Sequence, residues 1–327
     1  MPPAHFQRPS AFTRFVLRRV GRAILLVLAV ASAAMLLVHL APGDAFSAFD
    51  VDPAFAAAER ARLGFDRPFL AQYGSWLRRV VTLDFGDSVR FHRPVAELLA
   101  ERLGNTLALG MAALALALAI GLPAGVLTGR GRPTVASRAI SGASLLLVSM
   151  PPLVTALLLL LAAARTGWLP AGGLEIATGA GPGAWLGTAF RYLPLPAFAL
   201  ALPIAAGLER LQSQAIADAL RQPCVRAALA RGLSASRATW VHAWRLSLKP
   251  VLGVLGIVIG TVLSGSFVVE IVMSWPGLGQ LMHQALIARD MYLAAGCAAA
   301  GALFLALGIA ASECALQVAD PRRRELA

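Results

Sequence analysis

Residues 224–250 read Cys224-Val225-Arg226-Ala227-Ala228-Leu229-Ala230-Arg231-Gly232-Leu233-Ser234, then on to Trp240-Val241-His242-Ala243-Trp244-Arg245-Leu246-Ser247-Leu248-Lys249-Pro250. The stretch is a basic, polar island between two strongly apolar runs, so it has to face water. Its Ala-rich part, Arg226 to Arg231, favours helix, and Gly232 stops that helix in the manner of a C-cap. From Arg237 on, a helical period gathers Trp240, Val241, Trp244, Leu248 and Val251 on one face, with His242, Arg245 and Lys249 opposite. That is a helix lying along or entering a membrane surface, with Trp at the interface. Two short helices joined by a Gly elbow and pinned to a membrane make a docking surface for a soluble partner.

Composition places the island in a membrane protein. Of 327 residues, 58% are hydrophobic and 14% charged, against about 25% charged in soluble domains, and the mean hydropathy is +0.70. The net charge of +12 would suggest nucleic acid in a soluble chain. Here the cations sit in termini and short loops beside apolar spans, which is a signal of topology and implies membrane lipid, not nucleic acid, as the surroundings. Lys249 is the only lysine. Cys297 and Cys314 lie too far apart along one helix to bridge, and Cys224 is in the island, so neither a disulfide nor a metal framework is expected.

The apolar runs give an all-α polytopic chain with six spans. Residues 1–22, with Arg14, Arg18, Arg19 and Arg22, precede a first span at 23–41. A cleavable signal peptide is the rival reading, because Ala29 to Ala34 offers small-residue cleavage sites, but the apolar run continues past them. Residues 42–104 form the one sizeable polar segment before the island, with Asp44, Asp50, Asp52, Glu59, Asp66, Asp84, Asp87, Glu97 and Glu101 balancing its arginines, so it can be translocated. The core, 105–319, then carries spans at Asn105–Leu127, Ile140–Ala164, Tyr192–Leu208, Pro250–Val269 and Ala294–Val318. Arg130, Arg132 and Arg138 mark an inside loop, Gly167–Gly187 with Glu175 an external one, and 209–249 the island loop. The tail is 320–327. Arginines at both termini and in both inside loops put amino and carboxyl ends in the cytoplasm. Pro151-Pro152 interrupts the third span, either as a packing kink or as lining of a pathway. Gly253, Gly256 and Gly260 permit close helix approach in the fifth.

Several of these motifs resemble one family. Val225, Arg226, Ala228, Ala230, Gly232, Leu233, Ser234, His242, Ala243, Arg245 and Pro250 match the cytoplasmic coupling loop of ABC importer permeases, specifically the dipeptide/oligopeptide/nickel family. Cys224 replaces the usual aromatic, Leu229 an Arg, Arg231 a Lys, and Lys249 an apolar residue. Leu63-Gly64-Phe65-Asp66-Arg67-Pro68, Asp84-Phe85-Gly86 with Ser88, Asn105-Thr106-Leu107, Ser274-Trp275-Pro276-Gly277-Leu278-Gly279 and Asp320-Pro321-Arg322-Arg323-Arg324 match it as well. The resemblance implies the type I permease fold and a homologous second permease. It also implies two cytoplasmic ATPase subunits that bind the ATP, and an external substrate-binding protein. It assigns contact with the ATPase to Arg226, Ala228, Arg231, Gly232, Leu233, His242 and Arg245. The cargo would be peptides or a related small solute.

The chemistry absent from the chain agrees with a subunit that holds no cofactor. A phosphate-binding loop needs a lysine after glycines, and Lys249 lies between Leu248 and Pro250. No His-Glu-x-x-His or Gly-x-Ser-x-Gly motif supports an intramembrane hydrolase. A secondary transporter or channel calls for inverted repeats or several intramembrane charges. Glu270 is the acid nearest hydrocarbon, and with Pro151 and Pro152 it is a candidate for the pathway or a gate, the alternative being a wet residue at the end of its span.

Overall fold

The structure, a computed structural model, describes residues 11–41, 66–131, 134–170 and 190–319, with positions 58, 60–62, 187 and 188. Asp44, Asp50, Asp52, Glu59, Leu63-Gly64-Phe65, Arg132, Glu175 and the Asp320–Arg324 tail lie outside the described residues.

The helices are α1 (Ala11–Leu40), α2 (Phe69–Val80), α3 (Val95–Gly129), α4 (Val135–Val148), α5 (Pro152–Thr166), α6 (Pro194–Arg221), α7 (Pro223–Ala230), α8 (Trp244–Val272), α9 (Leu278–Ile287) and α10 (Met291–Ala319). The described residues contain no strand beyond the isolated pairing of Asp87 with Pro94. Among the described residues, five helical stretches are long and apolar enough to cross a membrane: Leu17–Leu40, Val95–Gly129, Pro194–Arg221, Ala235–Val272 and Met291–Gln317. Helices α4 and α5 make a sixth crossing only as a pair, bent by 111°.

That bend corrects the expected span Ile140–Ala164. Pro151 stands at ψ 147° ahead of Pro152, because a residue before proline is pushed out of the α region. Pro152 then opens α5 at a position where its missing N–H costs nothing. The result is a break, not a kink. With 14 and 15 residues, the halves reach only about 21 and 22 Å at 1.5 Å per residue, short of a ~30 Å core.

Three other boundaries move. Helix α3 begins at Val95, so the end of the expected 42–104 loop is already helical; Glu97 sits in its first turn, where a carboxylate suits the helix dipole. Arg93 reaches Glu101 at 2.6 Å and Glu97 at 3.3 Å. Helix α6 carries on through Glu209 and stops only where Gln222 precedes Pro223. At the other side α8 begins at Trp244 and passes through Pro250. The island loop 209–249 therefore contracts to 222–243.

Helices α3 and α6 pack backbone against backbone. A Cβ on Gly121 would lie 2.6 Å from the Ala205 carbonyl oxygen, and one on Gly125 would lie 2.6 Å from that of Glu209. On Gly129 it would overlap the Ser213 carbonyl. Glycines four apart thus seat one backbone directly on the other. The glycines singled out in α8 do less: nothing lies within 4 Å of a Cβ on Gly253, and Gly256 and Gly260 meet only side-chain atoms of α10. Elsewhere α1 lies along α10, with Arg19 paired to Glu313. His39 stacks on Phe69 at 4.4 Å and Ser32 meets the Tyr73 hydroxyl at 2.9 Å. Met35, Trp76, Leu278 and Tyr292 share one apolar cluster.

Candidate functional site

The loop between α6 and α8 forms the elbow expected of Gly232. Helix α7 ends at Ala230, Gly232 takes φ +88°, and two bonds close the turn: Leu233 N–H to the Ala228 carbonyl at 3.2 Å and Gly232 N–H to the Leu229 carbonyl at 3.0 Å. This is a Schellman motif, which needs a left-handed residue at the Gly position. Arg226, Arg231 and Gly232 are exposed on its outer side, and Arg231 Nε donates to the Ala227 carbonyl at 3.2 Å. A Cβ on Gly232 meets no atom within 4 Å. Ala228 instead faces inward, 7% exposed, and half-buried Leu233 packs against the cluster of Val126, Ile216, Ala219, Val225, Ala238 and Ala243. The loop is therefore pinned from beneath by Val225 and Ala228 and presents its arginines outward.

The expected apolar face beyond Arg237 is different. A stripe of small residues is buried there, Ala238, Thr239, Ala243 and Ser247, while Trp240 and Val241 stay 38% and 40% exposed. The helix continues without a break into α8, Ala235–Val272 forming one helical stretch. His242 and Arg245 are exposed on its first turns. At its base Gln212, fully buried, donates Nε2 to Ser247 Oγ at 2.8 Å.

At the opposite end of α8, Glu270 is fully buried and does not sit at a wet boundary. Its carboxylate accepts the Thr106 hydroxyl at 2.8 Å and the Gly279 N–H at 2.6 Å, and the Gln280 N–H as well. Thr106 Oγ1 in turn accepts the Leu278 N–H at 2.8 Å. The opening N–H groups of α9, which no residue of α9 can satisfy, are thus capped by α3 and α8. Asn105 completes the contact: Nδ2 donates to the Pro276 carbonyl at 2.8 Å, and its own carbonyl accepts Trp275 Nε1 at 3.0 Å. A Cβ on Gly277 would overlap the Glu270 carboxyl group.

A second buried acid closes the same end. Asp290 accepts Ser88 Oγ at 2.6 Å, the Arg90 N–H at 3.2 Å and the Leu293 N–H at 3.1 Å, so it caps α10 and holds the turn at 84–94. Burial pushes its carboxyl above the ordinary value, while these donors pull it down.

Between α8 and α10 lies an open groove of about 770 Å³ lined by Pro152, Gly253, Gly256, Gly260, Ser264 and Glu313 among others. Pro152 thus reaches the groove, whereas Pro151 forms the exposed bend. Asp290 and the Gly121, Gly125 and Gly129 ladder were not singled out from the sequence. The glycine spacing was a usable signal, and so was an Asp three residues ahead of Leu293 as a helix cap; the other partners of Asp290, Ser88 and Arg90, some two hundred residues away in the chain, left none.

The comparisons agree with this geometry. Residues 121–325 match the family described as binding-protein-dependent transport system inner membrane component, and residues 12–110 match its N-terminal companion. The chain is 32% identical over 320 residues to the oligopeptide transport system permease protein AppB of Bacillus subtilis, covering 94% of this chain and 98% of that one. A putative peptide transport system permease protein of Brucella abortus is 33% identical over 317 residues, at 95% and 99% coverage. The di/tripeptide transport system permease protein DppB of Pseudomonas aeruginosa is 33% identical over 297 residues, at 84% and 88%. The extent of these matches, on a helical chain with a Gly-elbowed loop at the base of its long helices, shows that the protein belongs to the family of binding-protein-dependent transport system inner membrane components, a polytopic permease subunit.

Proposed function

We propose that the chain is one of two permease subunits of an ABC importer for peptides or a related small solute, with both termini in the cytoplasm and the 222–243 loop docked on an ATPase subunit. ATP is bound by the partner ATPases, and an external binding protein delivers the cargo. The observation that carries the docking assignment is the Schellman elbow: a basic, outward-facing turn closed by two backbone bonds, with Val225 packed in the cluster beneath it and Ala228 buried. The groove between α8 and α10, with Pro152 at its wall, is half of the pathway, completed by the second permease. Glu270 belongs to the outer clasp that positions α9 at the mouth of that pathway. Closure of the ATPases shifts the spans only through contacts that differ between their two states, and the elbow is where such contacts form.

Gly232→Trp tests this. A side chain at a left-handed position costs about 1–2 kcal/mol, too little to stop the spans from inserting, and a bulky one fills the open space in front of the elbow. The variant is expected to remain in the membrane with its sister permease. It should lose ATPase co-purification or the stimulation of ATP hydrolysis by loaded binding protein. Wild-type stimulation would remove the loop from the transmission path.

A further inference from the structure

The docking loop joins α8 through a turn of unusual pitch. Ala235–Arg237 is a single α-turn, Ala238–Ala243 is π-helical, and Trp244 donates its backbone N–H to the Thr239 carbonyl, five residues back. Such turns hold one residue more than an α-turn and cluster at functional sites. In a plain α-helix Ala238 and Ala243 would stand about 140° apart. Here both are fully buried in one cluster with Val126, Ile216 and Val225. The extra residue therefore aligns the buried side of the loop with that of α8, where Ala243, Ser247 and Val251 follow at intervals of four, all buried.

Two contacts hold the turn. Thr239 Oγ1 donates to the Ala235 carbonyl at 2.8 Å. The Arg130 guanidinium, at the end of α3, lies 5.2 Å from the centre of the Trp240 ring, and the Trp244 ring lies 5.8 Å from the same ring.

We infer that this turn sets the rotational register between the docking loop and α8, and that Arg130 and Trp240 are the positioning residues that hold it. The inference rests on reading the loop as the ATPase-docking element. Without the extra residue, everything on the loop side is turned by about 100° around the helix axis, and Arg226, Arg231 and Gly232 no longer face the ATPase when the spans are in place. With it, displacement of the elbow reaches α8 as a rigid rotation and reaches α3 through Arg130.

The test uses the full complex, with sister permease, ATPases and binding protein, reconstituted in vesicles. Deleting Val241 shortens the turn to α-helical length; inserting an alanine after Ala243 in the same chain restores the count. The deletion is expected to lower binding-protein-stimulated hydrolysis by about tenfold or more, while the restored chain stays within about twofold of wild type. Wild-type stimulation in the deletion chain, or equal loss in the restored one, overturns the proposal. If the deletion chain does not accumulate, Trp240→Phe and Trp240→Ala decide. Phe keeps an aromatic face for Arg130, so stimulation retained in Phe and lost in Ala supports the register, and equal stimulation in both overturns it. Failure of the docking reading is seen separately, as normal stimulation in Gly232→Trp.

Discussion

The Glu270 carboxylate on α8 receives the backbone N–H of Gly279 at 2.6 Å, so a side chain of one helix caps the start of another. Glu270→Gln replaces one acceptor oxygen with an amide nitrogen that faces the same donors, at about 1–3 kcal/mol for a buried group left unpaired. The variant is expected to insert and pair with the second permease, yet to transport several-fold less. Uptake equal to wild type across substrate concentrations would show that the clasp is dispensable.

Gly125→Ala and Gly129→Ala should lower the thermal midpoint of the detergent-solubilised chain. The added methyl meets the backbone of α6, and overpacking of this kind costs about 1–3 kcal/mol. Gly104→Ala, on the same helix, has nothing within 4 Å of the new atom and should leave the midpoint unchanged or raise it, since Ala favours a helix interior over Gly by about 0.5–1 kcal/mol. Equal midpoints in all three variants would contradict the ladder.

Asp290 gives a pH dependence of definite sign. Its folded carboxyl is raised above the ordinary 3.8 by burial, so the folded chain takes up the proton first. The associated stability is fully present below the ordinary value and is lost as pH rises through the raised one. Across that window the wild-type midpoint should fall with rising pH relative to Asp290→Asn, which cannot titrate. Parallel curves for the two chains would refute the assignment.

Orientation is checked with single cysteines on a chain lacking Cys224, Cys297 and Cys314. A cysteine at exposed Val81 should react with an impermeant reagent from outside the cell, and one at exposed Ser236 should not. The opposite labelling pattern would invert the proposed topology.

What could be read beforehand was what the chain encodes locally. Gly232 after an Ala-rich run announces its own cap, and Pro151-Pro152 announces an interruption, although not an angle of 111°. The choice between a buried and a wet Glu270 stayed open because hydropathy sees only where its span ends, whereas its burial depends on Thr106 and Gly279, brought in from other helices. Glycine stripes occur in both α3 and α8, and spacing alone does not tell which one meets a backbone. The π-turn leaves no mark in a periodicity that assumes a constant pitch.

The glycine ladder also fixes the direction of travel. Gly121, Gly125 and Gly129 meet Ala205, Glu209 and Ser213 in ascending order on both helices, so α3 and α6 run parallel. Gly129 near the end of α3 is level with Ser213, and α6 began at Pro194, about 28 Å of helix away. Two parallel neighbours require the chain to come back across between them. The segment that returns it includes the bent pair α4–α5, whose halves are each too short to cross. Within the segment between α3 and α6, the described residues that can make this return are those of the bent pair, taken together. The pairing of Arg19 with Glu313 likewise sets the start of α1 beside the end of α10, so those two helices run antiparallel.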